Sequence, residues 1–480
     1  MKILKNYLYN VSYNLLAILL PIFTVPYIAR VLNPYEVGIN SATNSVITYF
    51  LLAGTLGITT YGNREIATKR ENPRERSQTF WEIEFLQITT ILLAYLAFIV
   101  YLMVLQREFR IYFFYQSFFI VAGLFDVSWF FMGMEDFKKT VVRNMLVKII
   151  SACLIFTLVK STADLGIYIL ILSLSQLFGN LTLWSYLMHL VTKPDFKHLK
   201  PWRHLKPSIA LFIPQVAIMI YVSLNKTMLW KLDSVTAAGF YDYSDKISKI
   251  ALSVVTSLGT VLLPHMSNLY GKKQFDKIKE YLINSAAIML FLAFALAFGI
   301  CGISHSFVSK FLTTKFAPVT ELIILESPVL VLIALSNLIG NQYLLPLRRT
   351  KQYTQSVTLG AITNIILNIP AILLFGVKGS MVVTVISEAV VTGYQLWVIR
   401  HDLHIDLLFK GCYKYLIAGI LMFIVVFNLD HYFVPSYLHI ALEVLIGAII
   451  YLAVNFALRS PAFKLALNFL KDHRKKTNNS

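Results

Sequence analysis

Asp242, Asp245, Lys246 and Lys249 stand in the first half of one apolar stretch, Gly239 to Pro264. A charge near the centre of a bilayer costs about 2.5–3.5 kcal/mol on insertion scales. Ionisable side chains persist there when they face a wet, protein-lined cavity, and by default they mark a functional site. Spacings of three and four place all four on one side of a helix. Each aspartate precedes its lysine by four residues, the order that suits a helical ion pair. The plainer alternative is a self-neutralising ladder that only survives burial.

Other polar residues in apolar surroundings extend the set. Arg30 ends the first apolar span, Lys148 lies in the fifth, and Lys226 and Lys231 lie toward the outer end of the seventh. Asn40, Ser41, Asn44, Ser45 and Thr48 line the second span, and Asn364 and Asn368, four apart, line the eleventh. If these faces converge, the cavity is cationic and rich in amides. Lysine and arginine suit phosphate oxygens, and amides suit sugar hydroxyls, so an amphiphile with a phosphate and a sugar head fits. The alternatives are that Lys226 and Lys231 snorkel to the outer surface, that Lys148 neutralises an acid, and that Arg30 touches headgroups. Glu388 in the twelfth span and Asp126 in the fourth are lone acids that bind a coupling proton or sodium ion or else pair with a lysine. Glu326 and Glu443 sit in the outer thirds of their helices. Trp129, Phe130 and Phe131 read as packing or lipid-facing aromatics rather than a sugar platform.

Catalysis and a bound metal are not expected. No H-E-x-x-H, Gly-rich phosphate loop or nucleophile elbow occurs. Cys153, Cys301 and Cys412 are isolated and make neither a disulfide framework nor a metal site. The longest outer loop, about 304–319, holds no acid. A membrane polymerase would need one there.

The elements that must carry these residues follow from composition. Of 480 residues, 57% are hydrophobic and 14% charged, against about a quarter charged in soluble proteins. Long apolar runs recur from end to end, the mark of an all-α polytopic membrane protein. Fourteen spans are expected, at about 7–32, 39–60, 80–105, 111–133, 141–159, 164–190, 207–231, 235–264, 281–303, 320–345, 353–375, 379–400, 410–428 and 436–458. The first is too long for a signal-peptide core and is read as retained. Loops on the amino-terminal side hold thirty lysines and arginines and the opposite loops eight. Positive-inside then puts both termini in the cytoplasm, and the net charge of +18 is not a nucleic-acid footprint.

An internal repeat is visible at an offset of 201 residues, Arg30 to Asn40 matching Lys231 to Tyr241 without a gap and Gly38 falling on Gly239. The same offset sets Asn44 opposite Asp245 and Thr48 opposite Lys249. It implies an N-lobe of helices 1–6 (1–206) and a C-lobe of helices 7–12 (207–402) related by a pseudo-twofold axis along the membrane normal. Helices 13–14 (403–458) and a basic cytoplasmic tail (459–480) follow. Transporters built from such halves place the substrate between them and rock to alternate access. A multidrug cation exporter would favour an acidic or aromatic cavity, which the buried charges oppose.

The segments YNLLAILLPIFTVPYIARVLNPYEVGINS, YGNREIA, DVSWFFMGMEDFKKTVVRN, LNKTML, DKISKIALSVVTSLGTVLLPHMSNLYGK and IGNQYLLPL together resemble the Wzx-type flippases. These form the polysaccharide-transport branch of the MATE/MurJ-like (MOP) exporter superfamily. The resemblance runs to about residue 400. It implies two six-helix lobes around a cationic cavity in the bacterial cytoplasmic membrane. The implied cargo is an undecaprenyl-diphosphate-linked oligosaccharide for capsule or O-antigen, with polysaccharide polymerase and chain-length machinery as partners. Arg30 matches the arginine of the family's PYIAR segment and Lys246 the lysine of its YD-x-x-x-K segment. Asn225 and Met132 depart from an acid and a glutamine common in the family. A lipid II flippase and a MATE-type exporter are the other readings. Proton or sodium coupling is expected to be the only cofactor requirement, if there is one.

Overall fold

The structure, a computed structural model, describes residues 19–465 and Leu467. Lys2, Lys5, the start of the first expected span and the KDHRKK tail lie outside the described residues, within which every regular element is a helix. The chain opens with α1 (Leu19–Val31), α2 (Pro34–Thr55), α3 (Ile58–Lys69), α4 (Pro73–Val104), α5 (Arg110–Leu124) and α6 (Ser128–Gly133). It continues through α7 (Phe137–Leu158), α8 (Leu165–Leu187), α9 (Leu205–Leu232), α10 (Val235–Gly271) and α11 (Phe275–Phe307). It ends with α12 (Pro318–Glu326), α13 (Pro328–Ile339), α14 (Thr350–Ile399), α15 (Ile405–Leu408), α16 (Cys412–Tyr432) and α17 (Tyr437–Ala457).

Ten helices or joined helix pairs among the described residues are long and apolar enough to cross a bilayer. One of them, α14, is two spans in a single assigned element. At Gly376 the backbone takes φ 58° and ψ −142°, a conformation that glycine alone adopts without strain. Where the sequence suggests a short gap at 375–379, the chain reverses around that glycine. The arms then close tightly, since a Cβ on Gly379 would lie 2.1 Å from the Ala371 carbonyl oxygen.

Two other expected spans are interrupted. Over 320–345, Pro328 restarts the helix after Ser327, and Gly340–Leu344 forms a π turn. Over 111–133 the helix breaks between α5 and α6, where Ala122, Gly123 and Phe125 keep only tight-turn backbone bonds and side-chain donors supplement them. Asn180 Nδ2 donates to Ala122 O (2.7 Å), Gln87 Nε2 to Gly123 O (2.8 Å) and Asp126 O (3.1 Å), and Trp184 Nε1 to Phe125 O (3.0 Å). With no water in the bilayer core, a break survives only with such replacements. Asp126 accepts the Ser128 N–H (3.0 Å) and so starts α6.

The chain divides into two compact units, Met1–Gly239 and Phe240–Ser480. In the first, α2 packs on α4, α5 and α9, and α8 on α5 and α7. Its core gathers Ile58, Ile66, Phe80, Ile83, Trp129, Phe130 and Phe131. The three aromatics at 129–131 are thus packing residues. Gly38 and Gly239, matched in the repeat, meet here: a Cβ on Gly38 would lie 1.9 Å from Val235 O, and one on Gly239 2.2 Å from Pro34 O. Only glycine permits that backbone approach. In the second unit α11 packs on α13 and α16, α13 on α14, and α16 on α17. Met422, Val426 and Tyr451 bury the last two helices against α11.

Candidate functional site

Ser234 starts α10 by accepting the Ala237 N–H (3.0 Å). Two turns on, the expected pairs form. Lys246 Nζ lies 2.5 Å from Asp242 Oδ2, and Lys249 Nζ lies 2.7 Å from Asp245 Oδ2. The carboxylates are buried, with side chains 3% and 11% exposed, while those of the lysines are 39% and 48% exposed. Each ammonium is therefore held by an acid on one side and remains partly exposed on another. Tyr243 supports Lys246 from 5.3 Å, with its ring stacked on Phe316.

Ser244 and Ser248, displaced around the helix from this stripe, both donate to Glu326 Oε2 (2.8 and 2.9 Å). Glu326 is buried and lies within electrostatic range of Asp245 and Lys249. Tyr241 joins its hydroxyl to Thr384 of α14 (3.1 Å). Three carboxyl groups thus stand around two ammonium groups, and a proton on Glu326 would balance the cluster.

Glu388 is almost fully buried on the second arm of α14, near Tyr353 of the first. Asn364 and Asn368 are completely buried on that first arm. They face protein rather than accessible space, and the Asn364 carboxamide has no hydrogen-bond partner among the described residues.

In the first unit, Asn40, Asn44 and Thr48 lie on the half-accessible face of α2, whereas Ser41 and Ser45 are buried. Gln116 Nε2 donates to Asn40 at both its backbone and its side-chain oxygen (3.0 and 3.1 Å). Thr48 returns its hydroxyl to Asn44 O (2.8 Å). One residue on, Tyr49 bonds Thr227 of α9 (3.0 Å), which brings Lys226 into electrostatic range of Tyr49. Lys231 is exposed with its ammonium 3.7 Å from the Trp230 ring centre. Arg30 is exposed at the end of α1, one turn past Tyr27, whose hydroxyl donates to Val159 O at the end of α7 (2.7 Å). Lys160 donates to that same hydroxyl (3.3 Å), adding a further cation beside Arg30's end of α1. Lys148 is half-buried, farther back along α7.

Two acids matter more in the structure than their sequence surroundings suggest. Glu326 is tied to the charged helix by two serines, and their four-residue spacing was the available signal. Glu84 on α4 is completely buried, and neither carboxylate oxygen has a hydrogen-bond partner among the described residues. Its only signal was an acid in the apolar run after Trp81.

Residues 3–270 match the model of the family described as "Polysaccharide biosynthesis protein". A protein of Escherichia coli (strain K12) named "Putative O-antigen transporter" is 21% identical over 393 residues, covering 80% of this chain and 93% of that protein. Among solved structures, the lipid II flippase MurJ in an inward closed conformation superposes with a TM-score of 0.74 at 17% identity, over 95% of this chain and 99% of its own. An inward-facing MATE family multidrug transporter gives 0.59 at 11% identity, over 79% and 97%. The chain belongs to the polysaccharide biosynthesis protein family and shares the fold of the MurJ and MATE structures.

Proposed function

We propose that this protein is not an enzyme but a flippase for an undecaprenyl-diphosphate-linked oligosaccharide. It moves the repeat unit across the bacterial cytoplasmic membrane from the inner to the outer face by alternating access. The observation that carries the reading is the α10 stripe, where two accessible ammonium groups each rest on a buried carboxylate one turn earlier. A diphosphate offers both lysines a stronger, doubly charged acceptor than either aspartate. The aspartates hold the lysines between cargoes, and Glu326 absorbs the change of charge behind them. Arg30, Lys148, Lys226 and Lys231 add cations, and Asn40, Asn44 and Thr48 offer groups suited to sugar hydroxyls. The family match and the relative named as an O-antigen transporter support a polysaccharide precursor as cargo. Both termini stand on the cytoplasmic side.

Deleting the gene and analysing lipid-linked intermediates tests the cargo. Sugar-bearing undecaprenyl diphosphate is expected to accumulate on the inner leaflet, with loss of surface polysaccharide. Accumulation of lipid II, or drug sensitivity without any lipid intermediate, would overturn it. The Lys246→Gln/Lys249→Gln double variant, present at normal levels in the membrane, is expected to lose surface polysaccharide as completely as the deletion. Normal polysaccharide from that variant would remove α10 from the site.

A further inference from the structure

A cleft of about 940 Å³ runs between α7 and α8 in the first unit, apart from the α10 stripe. Its charged residues, Asp136, Lys139 and Arg143, gather at the start of α7, and Thr182 and Tyr186 of α8 join them there. Beyond that end the walls are aliphatic, including Leu146, Ile150 and Leu154 on α7 and Ile167 on α8. From Lys139 to Leu154 the helix advances about 22 Å at 1.5 Å per residue. One leaflet of a hydrocarbon core of roughly 30 Å is about 15 Å deep, so the cleft can hold a full acyl chain. Leu146 and Ile150 are each 53% exposed, leaving the apolar part open along its side.

The charged end is built rather than incidental. Arg143 is only 8% exposed, and its Nη1 donates to Asn180 Oδ1 (2.8 Å). Asn180 is itself fixed by its bond to Ala122 O at the α5–α6 break. Gly179 lets α8 close on α7 at this level, since a Cβ there would lie 2.5 Å from Val147 Cγ2 and 3.5 Å from Arg143 Cδ. Lys139 Nζ pairs with Asp136 (3.2 Å) and stands 5.4 and 5.3 Å from the Phe131 and Tyr186 ring centres. Two cations and one acid line the head of an apolar channel.

We propose that this cleft is a binding site for an anionic glycerophospholipid, its phosphodiester on Lys139 and Arg143 and its acyl chains along α7 and α8. The cationic side chains at the head of the cleft match a phosphodiester, and its aliphatic walls match acyl chains. A diphosphate would bring excess negative charge, and a zwitterionic head would bring a second cation to Lys139. Basic pockets between membrane helices hold anionic headgroups on the same grounds.

The test is native mass spectrometry of the full chain in detergent, after incubation with equal amounts of phosphatidylglycerol, phosphatidylethanolamine and a polyprenyl monophosphate. Phosphatidylglycerol is expected to be retained several-fold over the other two. Lys139→Gln should reduce that preference to near equality, and Leu146→Trp, which fills the apolar wall from outside, should lower phosphatidylglycerol retention outright. Lys246→Gln should leave retention unchanged, which separates this site from cargo binding. Equal retention of the zwitterionic lipid, preferential capture of the polyprenyl phosphate, or phosphatidylglycerol retention untouched by both cleft variants would each overturn the proposal. If Lys139→Gln fails to fold, Leu146→Trp decides by itself.

Discussion

Where an ionisable side chain points decides what it can do in this protein. The α10 lysines end in accessible space and their aspartates do not, so an anion reaches the cations without displacing packed side chains. The opposite arrangement holds at His204, just before α9. Its Nε2 lies 2.9 Å from Glu82 Oε2 and its Nδ1 2.7 Å from the Tyr61 hydroxyl. Burial is the largest influence on this imidazole and pushes its pKa below the ordinary 6.5, although Glu82 pulls the other way. The unfolded chain therefore takes up the proton first as pH falls. The stabilisation is present above about 6.5 and is lost on acidification through and below it. Purified protein should lose thermal stability as pH is lowered across that value, and His204→Gln should flatten the loss while lowering stability at neutral pH. An unchanged slope in the variant would assign the acid sensitivity elsewhere. The ion pairs on α10 were legible in the sequence because their partners are four residues apart. The ties of Glu326 to Ser244, 82 residues away, and of Tyr61 to His204, 143 residues away, were not, because periodicity within one helix carries no information about its neighbour.

At the level of elements, the fourteen expected spans correspond to helices in order, since hydropathy over twenty residues is a strong signal. The interruptions were less legible. Pro328 and Gly376 announce theirs by residue type, through a missing N–H and a permissive backbone. The break between α5 and α6 has no such residue, and it exists because Gln87, Asn180 and Trp184 supply donors from α4 and α8. Gln87 does most there, donating to the Gly123 and Asp126 carbonyls and accepting the Trp129 indole N–H (3.1 Å). Gln87→Met keeps the volume and removes all three bonds. Each buried group left unpaired costs about 1–3 kcal/mol, so the variant should be destabilised by several kcal/mol or fail to accumulate. Near-wild-type thermal stability would mean the break is held by something other than its side-chain donors.

For the whole molecule, the proposed function raises the question of what would drive a charged head group outward. The two compact units adjoin in sequence at Gly239 inside α10, so the helix that bears the charged stripe also links them. With the inside negative, two phosphate charges moving outward gain about 4.6 kcal/mol at 100 mV, from roughly 2.3 per charge. That is enough to bias export without a coupling ion. Glu326 and Glu84 then need carry no net proton across the membrane. In proteoliposomes with a fluorescent lipid-linked oligosaccharide, outward transfer is expected to rise with a negative potential on the cargo side at zero pH gradient. It should fall when valinomycin and equal potassium collapse that potential. Transfer that ignores the potential and follows an imposed pH gradient, with the dependence abolished by Glu326→Gln or Glu84→Gln, would show instead that a proton moves with each cargo.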